Sequence, residues 1–489
     1  MSQNKITQYF NSTDKQEPKM AKTNNKPVES KTKSGLSNDI WNLSFIMSEI
    51  FSYLDYKDLV EFNTACKKWN QLTYSRIHKG IKIFSDQYIE NRARDSTLYN
   101  IYNIDREAEK CINNNAKYAN LIKEFTLSVN LFPKRLTQFF ETFKYLKMLT
   151  FNNVKMTEEQ FVNVIKSLTR LEELRFEYTT ITEITRKSIY RQPFQIPSTL
   201  KKLTIKGKCF EGNAEQFIET INSHSNLTEF TVSSGDNEIF LTPFLNHYPS
   251  LKVLDYKIDR VESYEVLYDI FEYNPQITVL RLGLKYLDDD FFSNVQDNLV
   301  DLEELCLNKQ HASTERDSTV NQIFTMHTKI KKLELFLDNM SETSLDLIIK
   351  NCPELTDLKV QFPKDWRTLT KAIGARCNKL EKLTLLPHMG LGKSEMQKFY
   401  QELYEEEFLV NTHKYKDTIN ELTLSYFNFI DSKVEYFEQF TKLEKLNFLN
   451  QIGYGRSSLK IDPKIPLWPN YKVKTINNDR IIDVELEKC

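Results

Sequence analysis

A short apolar core, Leu-x-x-Leu-x-Leu, recurs down most of this 489-residue chain and constrains its fold more than any other feature. Clear copies are KLEKLTL, with Leu380, Leu383 and Leu385, and KLEKLNF, with Leu443, Leu446 and Phe448. The same spacing appears at Leu355-Leu358-Val360, Ile330-Leu333-Leu335, Leu302-Leu305-Leu307, Ile277-Leu280-Leu282 and Leu251-Leu254-Tyr256. It continues upstream at Leu227-Phe230-Val232, Leu200-Leu203-Ile205, Leu171-Leu174-Phe176 and Leu146-Leu149-Phe151. Weaker copies are Ile122-Phe125-Leu127 and Ile419-Leu422-Leu424. Most successive copies start about 24 to 29 residues apart, the period of stacked supersecondary units. A single match would mean nothing, but a dozen in near-constant phase require a repeat array. No unit of this length buries its apolar face alone, so neighbours must stack. A chain this long is also unsuited to one compact core. The expected architecture is a solenoid.

The core and its period resemble leucine-rich repeats. The resemblance implies the α/β class, with parallel strands on a concave face and helices on a convex face. About 13 repeats are expected over residues 119–450, followed by a C-terminal cap or tail over 451–489. Segments between cores, such as TEEQFVNVIKSL and SETSLDLIIKNCPEL, have helical spacing and suit the convex side. The Cys352-Pro353-Glu354-Leu355 stretch, with YPSL at Tyr248 and NPQI at Asn274, resembles the cysteine-containing repeats of F-box proteins. The pattern departs at the Asn or Cys usually found after the core: Asn130 fits, but Val154, Lys208 and Gln310 stand there elsewhere. One repeat is stretched between Leu385 and Ile419. Met396, Phe399, Tyr400 and Leu403 within it fit a longer convex helix, and a ligand-touching insertion is the competing reading.

Strand alternation places the residues between the core leucines on the concave face. Those expected to meet a partner there are Glu173, Arg175, Glu177, Lys202, Lys206, Asp255, Arg281, Glu304, Glu334, Asp357 and Lys359. Their signs alternate. A nucleic-acid reader would show a basic stripe with interleaved aromatics, and this row does not. A mixed charged concavity suits a protein substrate, with charge setting specificity.

Before the array lies a helical segment. Met47, Ile50, Phe51 and Leu54 share one helical face, and Leu59, Phe62, Ala65, Cys66 and Trp69 share another. Asp55 can cap the second helix, with Asp58 in its first turn. Two short helices with wide apolar faces cannot bury everything between themselves, so some surface needs another partner. IMSEIFSYLDYKDLVEFNTACKKWNQL resembles an F-box, matching at Ile46, Met47, Ile50, Phe51, Tyr53, Leu54, Asp58, Leu59, Cys66 and Trp69. The leading Leu-Pro-x-Glu of that family falls instead on Asn42, Leu43, Ser44 and Phe45, and Ala65 replaces the usual Val. The resemblance implies a small all-α F-box over 37–80 that binds the adaptor Skp1. Ile46, Met47, Ile50, Phe51, Leu54, Leu59, Cys66 and Trp69 would make the contact. A helical cap for the first repeat is the competing reading. A helical linker or N-terminal cap is expected over 81–118.

Residues 1–36 are rich in Lys, Asn, Ser, Thr and Gln and are expected to be a disordered tail. Gln3, Ile6, Tyr9 and Phe10 depart from that composition. In a 3₁₀ turn Ile6 and Tyr9 would stack on one face, with Phe10 completing an apolar plug. The four positions resemble the sliding-clamp (PCNA) interaction motif, which implies docking of residues 3–10 on the clamp; a chance match is the competing reading. The tail lysines are spaced rather than clustered and read as a solvated segment.

Lys and Arg number 66 against 67 Asp and Glu, leaving a net charge of −1 and no global field toward nucleic acid or an acidic membrane. No long apolar run marks a membrane helix, and MSQNKITQYF lacks the apolar segment of a signal peptide. The seven cysteines are scattered without C-x-x-C or a His cluster, so reduced thiols and no metal are expected. No phosphate-binding glycine loop, G-x-S-x-G or H-E-x-x-H is present. Cys306 falls on the concave face without a neighbouring His. A chain with neither enzyme activity nor cofactor is expected, in the nucleus, the cytoplasm or both. The two resemblances together imply a substrate receptor of an SCF (Skp1–cullin–F-box) ubiquitin ligase, reaching cullin and RING subunits through Skp1. A repeat scaffold or inhibitor outside any ligase is the alternative.

Overall fold

This computed structural model describes residues 44–54, 56–84, 97–182, 195–211, 214–233, 238–257, 264–283, 290–308, 323–336, 342–361, 367–386, 402–409, 414–425, 427, 434–451, 471–478 and 481–488. The chain divides into two compact units, Met1–Thr220 and Ile221–Cys489.

The first unit begins with three short helices, α1 (Ser44–Ile50), α2 (Tyr56–Ala65) and α3 (Lys67–Ile77). They close on a small core of Met47, Phe51, Leu59 and Ile77, with Leu54, Phe62, Trp69 and Leu72 packed against it. The Phe51, Phe62 and Trp69 rings meet with centroids 5.0–6.2 Å apart, inclined or edge-on, which suits their quadrupoles. Arg76 Nη2 donates to the Ser48 carbonyl at 2.8 Å and ties α3 to α1. Asp58 stands in the first turn of α2, where the helix dipole favours a carboxylate; Asp55 lies outside the described residues.

Strand β1 (Gly80–Phe84) follows directly and pairs in parallel with β2 (Glu124–Ser128). Residues 81–84, expected to open a helical linker, are therefore a strand. Ile81 and Ile83 alternate inward, but only Ile77 precedes them and not at the array's spacing, so the Leu-x-x-Leu-x-Leu signal was absent. Helix α4 (Thr97–Asn115) does lie in the linker region. Where α3 ends, His78 stacks on Tyr118 at 4.0 Å and meets Tyr74 edge-on, joining the helical domain to the first repeat.

The repeats of this unit supply α5 (Pro133–Thr142), β3 (Met148–Asn152), β4 (Lys155–Thr157), α6 (Glu158–Ser167), β5 (Glu173–Glu177), β6 (Thr180–Thr182), β7 (Lys202–Lys206), β8 (Phe210–Glu211) and α7 (Glu215–Ser223). Strands β1-β2-β3-β5-β7 are parallel neighbours, with Phe125, Leu149, Leu174 and Leu203 in one register row. Strands β4-β6-β8 form a second, narrow sheet. One residue per repeat, Asn153 (φ 55°), Tyr178 (φ 51°) and Gly207 (φ 83°), turns the chain left-handed between the two sheets. A Cβ at Gly207 would meet Tyr178 Cδ1 at 3.0 Å, so glycine is needed there.

In the second unit, parallel strands run β9 (Glu229–Ser233), β10 (Val253–Lys257), β11 (Val279–Gly283), β12 (Glu304–Asn308), β13 (Lys332–Phe336), β14 (Asp357–Gln361), β15 (Lys382–Leu386), β16 (Glu421–Ser425) and β17 (Lys445–Gln451). A closing hairpin, β18 (Tyr471–Asn478) and β19 (Ile481–Lys488), adds antiparallel to β17. It covers backbone that would otherwise be an open edge. Helices α8 (Tyr264–Tyr273), α9 (Phe291–Asn298), α10 (Glu342–Lys350) and α11 (Arg367–Arg376) accompany the strands. In the stretched repeat, a π-helical turn spans Glu402–Phe408 and buries Leu403 and Tyr404. Met396, Phe399 and Tyr400 lie outside the described residues.

Each core triplet is inside: Leu280 and Leu282, Leu333 and Leu335, Leu383 and Leu385, and their equivalents are 0–1 % exposed. At about 1.5–3 kcal/mol per buried aliphatic side chain, these rows are the main attraction between repeats. Polar stitching adds direction. Asn130 Oδ1 accepts from the Lys155 amide at 2.8 Å. Asn274 Nδ2 donates to the Phe244 carbonyl at 2.7 Å while its Oδ1 accepts from the Tyr248 amide at 2.8 Å, and Asn351 donates to the Phe324 carbonyl at 2.5 Å. Thr199, Ser250 and Thr418, each one residue before a core triplet, donate to the carbonyls of Leu171, Leu227 and Leu380 in the preceding repeat. The chain is thus an α/β leucine-rich-repeat protein preceded by a helical domain. Among the described residues no helix is long and apolar enough to cross a membrane.

Candidate functional site

The helical domain sorts its eight expected contact residues into three groups. Met47, Phe51 and Leu59 are 0 %, 1 % and 7 % exposed, which corrects their placement at a partner surface. They are the small core that holds α1 to α3, because three short helices have no other apolar material to bury. Ile46, Leu54 and Trp69 are half-buried and keep an outer face. Ile50 and Cys66 are exposed. Cys66 also has a structural task as N-cap of α3, its Sγ accepting from the Trp69 amide at 3.4 Å. Tyr53, a matched position left out of the expected contact set, is 80 % exposed beside Ile50 at 40 %. An isoleucine and a tyrosine standing out at the end of α1 are apolar area that the fold itself does not use. Gln3, Ile6, Tyr9 and Phe10 lie outside the described residues.

The strand face in the second unit is more self-contained than alternation implied. Asp255 Oδ2 accepts from Lys257 at 3.1 Å and faces Arg281 at 3.6 Å. Arg281 reaches Glu304 at 2.7 Å, and Lys332 lies 3.3 Å from Glu304 and 3.2 Å from Glu334. Lys359 follows at 3.8 Å from Glu334, its ammonium 4.9 Å from the centre of the Phe336 ring. One chain of alternating charge therefore crosses β10 to β14. Burial opposes the charge of Glu304, but Arg281 and Lys332 outweigh it and hold its carboxyl below the usual range. Burial likewise opposes Arg281, and Glu304 with Asp255 raises it above its ordinary value. Asp255 is 6 % exposed, so it serves the network rather than a visitor. Asp357 stands in register between Lys332 and Lys382, with burial, ahead of its charged neighbours, pushing its carboxyl up.

In the first unit Arg175 pairs with Glu173 at 2.5 Å and Lys206 with Glu177 at 2.7 Å, while Lys202 stands opposite Glu173 in register. Cys306, in the row of Arg281 and Glu334, is 6 % exposed, and burial first, then Glu334 and Glu304, pushes its thiol up, away from a nucleophilic thiolate. Among the described residues no cluster of His, Cys, Asp and Glu has the makings of a metal site.

The helical geometry meets an independent finding here. A family described as F-box-like matches residues 46–79. That span holds the helical core and the exposed pair Ile50 and Tyr53, and it ends at the edge of β1. No curated protein matches the chain. Among solved structures, the leucine-rich repeat-containing protein LegL7 from Legionella pneumophila is similar at 13 % identity, over 53 % of this chain and 92 % of that one. Its TM-score of 0.27 is too low to carry fold or function across. An F-box-like domain joined to leucine-rich repeats has the architecture of a protein-interaction adaptor.

Proposed function

We propose that this chain is the substrate-recognition subunit of an SCF ubiquitin ligase. The supporting observation is the F-box-like domain at 46–79, whose exposed Ile50 and Tyr53 leave an apolar face open beside a complete core. In this reading Skp1 covers that face and connects the chain to cullin and RING subunits. The repeats hold a protein substrate and act by proximity, raising its effective concentration near the ubiquitin-carrying enzyme. The receptor itself is not catalytic. Gln3, Ile6, Tyr9 and Phe10 would dock on the sliding clamp and bring the receptor to clamp-loaded chromatin in the nucleus; a cytoplasmic pool fits the same chemistry.

Mass spectrometry of proteins captured by the full chain, with the proteasome blocked, tests the receptor reading. Captured proteins that acquire ubiquitin with the wild type but not with Ile50→Asp/Leu54→Asp support it. Identical ubiquitination with both proteins leaves the repeat array as a scaffold without a ligase. Tyr9→Ala/Phe10→Ala should abolish clamp capture alone, and unchanged capture removes the clamp from the account.

A further inference from the structure

At the mouths of the strands, four cations are cancelled by a carboxylate of an adjacent repeat. Lys147 reaches Glu172 at 2.6 Å, Lys331 reaches Glu303 at 2.7 Å, Lys329 reaches Asp301 at 2.5 Å and Lys379 reaches Glu354 at 2.7 Å. The last two pairs join the residues one before the core triplets of successive repeats. In the first unit that position is held by Tyr145 and then Arg170. Where an acid would answer the cation, an aromatic ring stands instead.

Three cations gather on that ring. The Arg170 guanidinium lies 5.1 Å from its centroid, Lys144 Nζ 5.5 Å and Lys123 Nζ 5.7 Å. Neighbouring carboxylates are already taken: Glu124 by Lys79, Glu172 by Lys147 and Glu173 by Arg175. Among the described residues, none of the three cations has a carboxylate within ion-pair range. Lys123 Nζ donates only to the Asn120 carbonyl, at 2.6 Å. Burial, then Arg170 and Lys147, lowers the proton affinity of Lys123, as a locally positive field requires. Cation–π attraction of about 0.5–1 kcal/mol per exposed contact softens this crowding without neutralising it. Lys144 and Arg170 are exposed and Tyr145 is half-buried, so the cluster is open to a visitor.

We propose that Lys123, Lys144 and Arg170, gathered on Tyr145, form a binding site for a compact multi-oxygen anion carried by a protein segment. A phosphate monoester or adjoining Asp and Glu carboxylates supply that chemistry. Arg170 offers a planar fork of donors and the two lysines offer point charges, a combination suited to a dianion. Extended nucleic acid fits poorly, because Glu124, Glu172 and Glu173 flank the cluster and would meet its neighbouring phosphates. The site deepens the receptor reading only in making the anion part of a substrate.

The test uses the full chain and a short fluorescent peptide bearing phosphoserine, followed by anisotropy. The phosphopeptide should bind, inorganic phosphate should compete, and Arg170→Glu or Lys123→Glu should each weaken binding by about tenfold or more. Lys123→Arg should retain it. If the same peptide with Glu for phosphoserine binds as well, the carboxylate is the source and the site stands. Equal binding of the unphosphorylated serine peptide, or no effect of either charge reversal in folded protein, overturns the proposal. Preference for a single-stranded oligonucleotide over the phosphopeptide overturns it too. Skp1 capture, measured on the same proteins, should be unchanged by Arg170→Glu. Phosphopeptide binding without any Skp1 capture would remove the ligase and leave the anion site.

Discussion

Lys416 offers a quantitative test of the packing around the stretched repeat. It is 4 % exposed and has no carboxylate partner among the described residues. Its ammonium donates to the Leu409 carbonyl at 2.9 Å and Gln439 Oε1 at 2.7 Å, and lies 5.5 Å from the centre of the Phe440 ring. Burial lowers its pKa from 10.5 to about 8. That drop corresponds to about 3 kcal/mol lost at pH 7, where the buried side chain must stay charged. The unfolded chain keeps this proton to about pH 10.5, whereas the folded chain releases it near pH 8. Between those values the unfolded state binds more protons, so this group makes stability rise with pH. Lys416→Met removes the charge and leaves Gln439 Oε1 without its donor, a loss of about 1 kcal/mol. The variant should therefore be about 2 kcal/mol more stable than the wild type at pH 7 and slightly less stable above pH 10. Denaturant unfolding of both proteins across that range gives the difference directly and cancels the other titrating groups. A variant destabilised equally at pH 7 and pH 10 would refute the buried-charge argument.

Asn274→Ala removes the donor to Phe244 and the acceptor for Tyr248, and Asn351→Ala orphans the Phe324 carbonyl. Each should cost about 2–3 kcal/mol in denaturant unfolding, and a loss below about 0.5 would mean that water replaces the bond. Iodoacetamide at pH 8 should modify Cys66 and spare Cys111, Cys209, Cys306, Cys352 and Cys377, read by peptide mass spectrometry; the first is exposed and the others are buried. Fast labelling of Cys306 would contradict the packing of its row.

The repeat array was legible because its signal is periodic and redundant: Leu383, Leu385 and their equivalents all fall inside, so a weak copy such as Ile122-Phe125-Leu127 costs the reading little. β1 was not legible, since Ile81 and Ile83 make a single short alternation without the preceding core residue. Alternation puts Arg281, Glu304 and Glu334 on one side of the strands, but periodicity says nothing of rotamers, so the chain of mutual ion pairs was invisible. The stitching role of Asn274 and Asn351 was not legible either, because both act from helix ends rather than from the position after the core. In the F-box-like segment the consensus mixed two kinds of residue. Met47 and Phe51 match because the domain needs a core, whereas Ile50 and Tyr53 stand exposed outside it. Only packing in three dimensions separates these. The Tyr145 cluster draws on residues from three repeats, and no local spacing announces it.

Binding of Skp1 to the face around Ile50 and Tyr53 separates a ligase receptor from a bare scaffold. Calorimetric titration of the full chain with purified Skp1 measures this most directly. Burial of these two side chains should contribute roughly 3 kcal/mol or more, so Ile50→Asp/Tyr53→Asp should weaken binding by about 100-fold or more. Both positions are solvent-exposed, so the unfolding midpoint should stay unchanged. No heat of binding with the wild type, or equal affinity for wild type and variant, would contradict the receptor account.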